Sequence, residues 1–148
     1  MSERLAPPQT TAAGHGQWRV RTGVKGLVTS SSGVLLVAER HADRSLFWTL
    51  PGGGVHPDES LADGLRREIS EELCCQCRVG RPVDRFWYAH GSLDRTVSVY
   101  EVVTCSLLDD PLPAASEGVV DLVWADPDSL PARTLPAVRR VIGAYADS

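Results

Sequence analysis

The sequence predicts an α+β domain in which one mixed β-sheet lies between helices. Three observations carry this expectation: strand-like alternation over residues 18–40 and 78–107, a helical apolar stripe between these regions, and a second helical pattern near the end. With 148 residues, 43% of them hydrophobic, the chain can bury a core without a metal or a disulfide. This composition excludes disordered, collagen-like and coiled-coil proteins.

The first part of the chain predicts a tail and then a hairpin. Residues 1–16 contain prolines and glycines but few large apolar side chains, so we expect a flexible N-terminal tail followed by a single domain over residues 17–148. From Trp18 onward, apolar and polar residues alternate, which predicts a strand. A turn at Ser30–Gly33 connects it to a buried strand that ends at Arg40, and the two strands are expected to pair.

The next elements are a short strand, a loop and a helix. The strand LFWTL stops at Pro51, and Pro51–Glu59 is predicted to be a loop without regular structure because it holds three consecutive glycines. Ser60 is expected to cap a helix over Leu61–Leu73, with Asp63 completing a capping box. One apolar stripe on this helix is formed by Leu61, Leu65, Ile69 and Leu73.

The second half of the chain predicts another hairpin, a loop, a strand and a helix. The segments 78–91 and 95–107 are expected to pair as antiparallel strands. A loop over Leu107–Ser116 and a strand over residues 118–125 follow, and the last helix is expected to begin at about Leu135.

Charge and hydropathy limit the classes of partner. The formal net charge of −4 argues against a general nucleic-acid-binding protein, which would be basic. No apolar run approaches the roughly 18–20 residues that span a bilayer, and the first residues lack the apolar stretch of a signal peptide. We therefore expect a cytoplasmic protein without a membrane partner.

The four cysteines are expected to be buried free thiols. Only Cys74 and Cys77 have the spacing of a zinc-ligand pair, and no second pair follows. The others are Cys75 and Cys105. A cytosolic chain keeps such thiols reduced, and unpaired cysteines are often buried.

Three glutamates crowd one face of the first predicted helix. Glu68, Glu71 and Glu72 stand at i, i+3 and i+4, where like charges destabilise a helix unless a positive charge compensates. Arg67 can pair with Glu71, but Mg²⁺, which prefers hard oxygen ligands and substrate phosphates, would compensate better. Beside a glycine loop and a helix N-terminus, which favours anions, these acids indicate a magnesium-assisted phosphate site.

The joint spacing separates these features from a solvated helix face and an ordinary turn. The segment GGVHPDESLADGLRREISEELCC resembles the box of the Nudix hydrolase family, G-x5-E-x7-R-E-U-x-E-E-x-G-U, with U a bulky aliphatic residue. Six matching positions demand a single residue type, so a chance match has a probability on the order of 10⁻⁵. The matching residues are Gly53, Glu59, Arg67, Glu68, Ile69, Glu71 and Glu72.

The box runs from Gly53 to Cys75 and departs from the family pattern at its end. Cys74 stands in place of the last glycine, and Cys75 in place of the last aliphatic residue. The glycine ends the helix in a left-handed conformation that costs a residue with a Cβ about 1–2 kcal/mol. We therefore expect the helix to end differently here, while the acids and the arginine of the box are kept.

The resemblance implies a fold and an activity. The fold would be a Nudix-like α/β/α sandwich with a mixed β-sheet between helices. The activity would be hydrolysis of a nucleoside diphosphate linked to a group X by attack of water on phosphorus. Mg²⁺, with Mn²⁺ as a substitute, would neutralise the pyrophosphate and lower the pKa of bound water.

The resemblance also implies residue roles. The metal ligands would be Glu68, Glu71, Glu72 and the carbonyl of Gly52. Arg67 would orient the acids and pair with Glu59, which could instead be a charge that favours the helix N-terminus. The general base would be Glu71, a ligand that could also activate water, or Glu117 in the loop before the Trp-containing strand. Glu117 could equally be an ordinary loop charge.

Substrate contacts are expected from arginines and aromatic residues, although such residues are also common in cores and on surfaces. The candidates are Arg40, Gly53, Trp48, Arg85 and Tyr88, with Arg44, Phe47, Phe86 and Trp87 as further possibilities. His90 is expected to be a hydrogen-bonded loop residue. At the offset where family subgroups for ADP-ribose or dinucleoside polyphosphates carry proline or tyrosine, this chain has His90–Ser92, which favours a nucleoside triphosphate or a related small nucleotide.

Three other functions stay open at this point. The chain could be a non-catalytic Nudix-fold regulator that binds a nucleotide, although it keeps every acid of the box. It could be an RNA 5′-end pyrophosphohydrolase, which the negative net charge disfavours. It could also be an isoprenyl diphosphate isomerase on a similar fold, because that chemistry often uses a cysteine. The expected partner is a small nucleotide, and a homodimer is possible because many family members dimerise.

Overall fold

The computed structural model describes residues 18–89 and 95–147. The tail expected over residues 1–16 and the expectations for His90–Ser92 lie outside these ranges. The described elements are, in chain order, β1 (Arg19–Ser30), β2 (Gly33–Arg40), β3 (Leu46–Thr49), β4 (Gly52–Gly54), α1 (Leu61–Leu73), β5 (Cys77–Ala89), β6 (Thr96–Leu107), a short 3₁₀ helix (Ala115–Glu117), β7 (Asp121–Ala125) and α2 (Pro136–Ala146).

Strand β1 is the centre of the mixed sheet. It pairs in parallel with β6 from Arg19 to Val28 and antiparallel with β4, whereas only Thr29 and Ser30 pair with β2. Strand β2 then pairs with β3 on one side and β7 on the other, and β6 pairs with β5. The first expected hairpin therefore exists only at its tip, because β4 pairs with the β2 side of β1 from Gly23 to Lys25, while β6 pairs with the opposite side. The second expected hairpin is confirmed.

The glycine segment is not a loop throughout, which corrects the sequence prediction. Gly52–Gly54 form strand β4 because residues without side chains can lie very close to β1. A Cβ at Gly52 would lie 2.1 Å from the carbonyl oxygen of Val24, and its φ of +137° is open to glycine. Strand β7 begins at Asp121, later than expected, because Gly118 has a φ of +87° after the 3₁₀ helix.

The two helices pack on opposite faces of the sheet. Helix α1 contributes Leu65, Ile69 and Leu73 to a core with Val24 and Val28 of β1. Helix α2 packs against the other face, where Leu27 of β1 meets the apolar residues Val138, Val141 and Ile142. Odd and even positions of a strand face opposite sides, so β1 serves both cores. The expected α/β/α sandwich is confirmed.

Helix α1 begins and ends at defined caps. Ser60 is the N-cap, as predicted, and its hydroxyl accepts a hydrogen bond from the Asp63 amide at 3.1 Å. At the other end Cys74 itself adopts the left-handed conformation, with φ 56° and ψ 35°, and its amide donates to Ser70. The expectation of a different helix end is therefore wrong: the cysteine takes the glycine's conformation despite its Cβ.

The cysteines are free, and three of them are buried. Cys75, Cys77 and Cys105 lie in the core beside α1, whereas Cys74 is exposed and corrects the expectation that all four are buried. Burial raises the pKa of Cys75 to about 11. Neither helix in the described ranges has the length and apolar character needed to cross a membrane.

Candidate active site

Glu72 and Glu68 project from α1 toward the glycine strand. Glu72 is only 7% exposed, and its Oε1 accepts a hydrogen bond from the Gly52 amide at 2.9 Å. Glu68 fits because Gly53 has no side chain: a Cβ there would lie 2.8 Å from the Glu68 carboxyl carbon. Burial raises the pKa of Glu72 to about 8 and also raises the pKa of Glu68. The two carboxylates therefore sit where a compensating cation is favoured.

Arg67 binds three acids and a backbone carbonyl. Its Nη2 donates to Glu59 Oε1 and to the carbonyl of Gly54, both at 2.8 Å. Its Nη1 lies 3.1 Å from Glu68 Oε1 and 3.2 Å from Glu71 Oε1. Hydrogen bonds from Arg67 lower the pKa of Glu59 to about 2. The expected Arg67–Glu59 pair thus forms, while the roles of both residues in a reaction stay predictions.

Lys25 is a site residue that the sequence analysis missed. It is the single lysine of the chain, it lies on β1, and it is only 5% exposed. Its Nζ donates to the carbonyl of Gly52 at 3.2 Å and lies 4.8 Å from the centre of the Tyr100 ring. Burial opposes its charge, but nearby groups including Glu39 and Glu72 outweigh burial and raise its pKa. A lone cation within a buried strand was the signal that could have revealed it.

The donor set fits a divalent cation in chemical type. Carboxylate and carbonyl oxygens are the hard ligands that Mg²⁺ prefers. Among the described residues, no group of three His, Cys, Asp or Glu side chains is arranged so that it could hold a metal ion. Arg67 bonds Glu68 and Glu71, and Lys25 bonds the Gly52 carbonyl. Two protein cations thus occupy positions that a metal would compete for.

A cavity of about 540 Å³ opens beside Lys25. Part of its wall is an aromatic group in which the His41 and Phe47 rings stack with centroids 4.1 Å apart. The Phe47 and Tyr88 rings lie 6.5 Å apart and nearly parallel. Lys25 links the cavity to the carboxylate cluster, because its Nζ bonds the Gly52 carbonyl and the Gly52 amide in turn donates to Glu72. A ligand with a flat ring and an anionic tail would match these two ends in shape and charge.

Some of the predicted substrate residues line the cavity and others do not. Arg40 and Tyr88 line the cavity, and Gly53 lies against Glu68. The cavity lining does not include Trp48, which packs against the α2 core, or Arg85, which pairs with Glu101 through two bonds of 2.9 Å. Strand alternation explains both placements, because neighbours on a strand face opposite sides.

The same alternation divides the residues of each strand into two faces, one of which lines the cavity. Phe47 and Phe86 line the cavity, each next to a predicted residue that points away from it. Trp87 lies on the same face of β5 as Arg85, opposite to Phe86. Which of the two faces lines the cavity depends on where the helices pack, and strand alternation alone does not specify this.

Glu117 makes no described bond to the cluster. It is exposed at the end of the 3₁₀ helix, and its carboxylate makes no hydrogen bond or ion pair with other described residues. The loop before it does reach α1, because the Ala114 amide donates to the carbonyl of Glu72 at 2.9 Å. Its role as general base stays a prediction.

Comparisons with known proteins agree with this geometry. The family model of the NUDIX domain matches residues 19–145. The chain is 31% identical over 123 residues to the nucleoside triphosphatase NudI of Escherichia fergusonii, covering 76% of this chain and 86% of that protein. A second NudI, from Enterobacter sp., is 27% identical over 116 residues, covering 70% of this chain and 80% of that protein.

Solved structures share the fold. A MutT NUDIX hydrolase from Burkholderia pseudomallei superposes with a TM-score of 0.74 at 22% identity, covering 84% of this chain and 97% of that one. A MutT protein from Methanosarcina mazei Go1 has a TM-score of 0.73 at 24% identity, covering 88% and 95%. With the box residues gathered on α1 beside β4, the chain belongs to the Nudix family and is a hydrolase of phosphoric anhydride bonds.

Proposed function

We propose that the protein is a Mg²⁺-dependent pyrophosphohydrolase that cleaves a nucleoside triphosphate or a related small nucleotide. The observation that carries the proposal is that Lys25 lines the aromatic cavity and also bonds the carbonyl of Gly52, whose amide donates to Glu72 of the carboxylate cluster. The printed name of the NudI relatives, nucleoside triphosphatase, supports a triphosphate substrate.

The acids would hold the cation and the arginine would hold the acids. Mg²⁺, bound by Glu68, Glu71, Glu72 and the Gly52 carbonyl, would neutralise phosphate charge and lower the pKa of bound water. Arg67 fixes Glu71 from one turn away, at 3.2 Å, and is itself fixed by Glu59. This arrangement keeps the carboxylates oriented when substrate enters.

Glu71 is the better-placed general base. Its side chain is 40% exposed, and its oxygens have one described partner, Arg67, so lone pairs remain to accept a proton from water. Glu117 is the alternative, but its carboxylate has no described contact with the cluster. In either case the oxygen of water bonds to phosphorus, and the bridging oxygen leaves with the electron pair of the broken bond.

The cavity would bind the nucleoside. The aromatic rings of Phe47 and Tyr88 can stack on a base. Such stacking accepts any of the bases, because every base has a flat π-face. Arg40 lines the same cavity and donates one bond, to the carbonyl of Arg44 at 3.1 Å, so most of its donors can reach a phosphate.

A substrate panel tests the proposal. The protein with Mg²⁺ is incubated with nucleoside triphosphates, nucleotide sugars, ADP-ribose, NADH and dinucleoside polyphosphates, and products are separated by chromatography. We expect a triphosphate to yield a mononucleotide and pyrophosphate, a chelator to stop the reaction, and Mg²⁺ or Mn²⁺ to restore it. Nucleotide binding without turnover of any compound would contradict the proposal and favour a regulatory binder.

A further inference from the structure

A second cleft, of about 330 Å³, adjoins the carboxylate cluster away from the aromatic cavity. Its lining includes Arg21, Gly54, His56 and Glu68, and it shares no lining residue with the larger cavity. Gly52 touches Lys25 at the cavity, whereas Gly54 lines the second cleft, and two residues of extended strand span about 7 Å. Strand β4 therefore runs from one cavity to the other, past the acids.

Arg21 is an exposed guanidinium without a bonding partner in the described ranges. Its Nη2 lies 3.5 Å from the position that a Cβ on Gly54 would take. Arg21 and Lys25 stand four residues apart on β1, so both lie on the same face and bracket β4. An arginine whose fork of donors is unused beside a phosphate-processing site is suited to bind phosphate oxygens.

The other charges around the cleft do not prevent anion binding. Glu68 is negative, but Arg67 lies 3.1 Å from it, and a bound cation would neutralise it further. His56 Nδ1 lies 3.7 Å from Glu59, whose charge is already paired with Arg67. Thr22 and Val55 complete the lining and are uncharged. The free charge of the cleft is therefore that of Arg21.

We propose that this cleft is the subsite for the terminal phosphate of a nucleoside triphosphate and that Arg21 binds it. The inference rests on the proposed function and names a further part of the same site. If the nucleoside occupies the aromatic cavity and water attacks the phosphorus beside the acids, the departing pyrophosphate must extend beyond the acids. The bridging oxygen stays with that pyrophosphate, and Arg21 neutralises the charge at its far end.

The test compares Arg21→Gln with Arg19→Gln. Arg19 is also exposed, lies on the same face of β1, and is absent from the cleft lining, so it is a matched control. Binding of inorganic pyrophosphate with Mg²⁺ is measured by calorimetry. We expect Arg21→Gln to weaken this binding about 10-fold, as loss of a charged hydrogen-bonding group does, and Arg19→Gln to change it less than about 2-fold. Arg21→Lys should retain part of the binding.

Kinetics provide a second readout. Arg21→Gln should lower kcat/KM for a nucleoside triphosphate about 10-fold and for the matching diphosphate less than about 2-fold, because the diphosphate lacks the γ-phosphate that Arg21 would bind. Equal losses for both substrates, or equal pyrophosphate binding by both glutamine variants, would overturn the inference. If the unaltered protein cleaves no nucleotide yet binds pyrophosphate through Arg21, the proposed function fails and the anion subsite stands.

Discussion

The carboxylate cluster and the aromatic cavity are built in different ways. The cluster comes from one helix and the strand just before it, and its acids are already bonded to Arg67 or to the Gly52 amide. The cavity is assembled from five strands, and most donors of Arg40 there have no described partner. The proposed catalytic groups are thus positioned by local spacing, whereas the proposed nucleoside pocket depends on the register between distant strands.

The largest effect is expected from removing the charge of Glu72. Glu72→Gln keeps an oxygen that can accept a hydrogen bond from the Gly52 amide, so the fold should persist, but a proposed metal ligand is lost. We expect kcat to fall at least about 100-fold, with Asp58→Asn, an exposed acid of the loop before α1, as control. Turnover near that of the unaltered protein would remove Glu72 from the site.

The next effect should appear in stability. Lys25→Met leaves the Gly52 carbonyl without its donor and removes the positive charge beside Glu72. We expect the free energy of unfolding to fall by about 2 kcal/mol, measured by urea denaturation. An unchanged midpoint and slope would show that the cluster does not depend on β1 for its charge balance.

The cavity should respond in binding more than in rate. Phe47→Leu keeps much of the volume but removes the flat ring, so KM for a nucleoside triphosphate should rise about 10-fold while kcat changes less than about 3-fold. The control is the neighbouring residue Trp48, which packs against the α2 core. Trp48→Leu should lower the stability of the protein without raising KM. A rise in KM for Trp48→Leu alone would place the nucleoside elsewhere.

The smallest effect concerns the end of α1. Cys74→Gly relieves the cost of a left-handed residue with a Cβ but gives the unfolded chain more freedom, so stability should rise by at most about 1 kcal/mol. Thermal unfolding would measure the gain. A loss of stability would mean that the exposed Cys74 side chain contributes contacts that offset its backbone strain.

The parts predictable from sequence were those with local causes. The bounds of α1, its Ser60 cap and the Arg67–Glu59 pair follow from spacings within the box. Strand β4 was not predictable as a strand, because three glycines gain extended structure only from the close approach of β1. Lys25 reaches the site only through that same pairing. Trp48 and Arg85 lie outside the cavity lining, which the sequence alone does not reveal because the direction in which a strand residue faces depends on where the helices pack.

The parallel pairing of β1 with β6 has a consequence for how the site comes into being. Arg19 pairs with Thr96, so this ladder joins segments far apart in sequence, and contacts of that kind form slowly. During synthesis, α1 and its acids leave the ribosome before β6, while β1 still exposes an unpaired edge. Tyr100, which covers Lys25, lies on β6. The candidate catalytic centre is therefore completed late, and until β6 pairs, the edge of β1 is exposed to association with other strands.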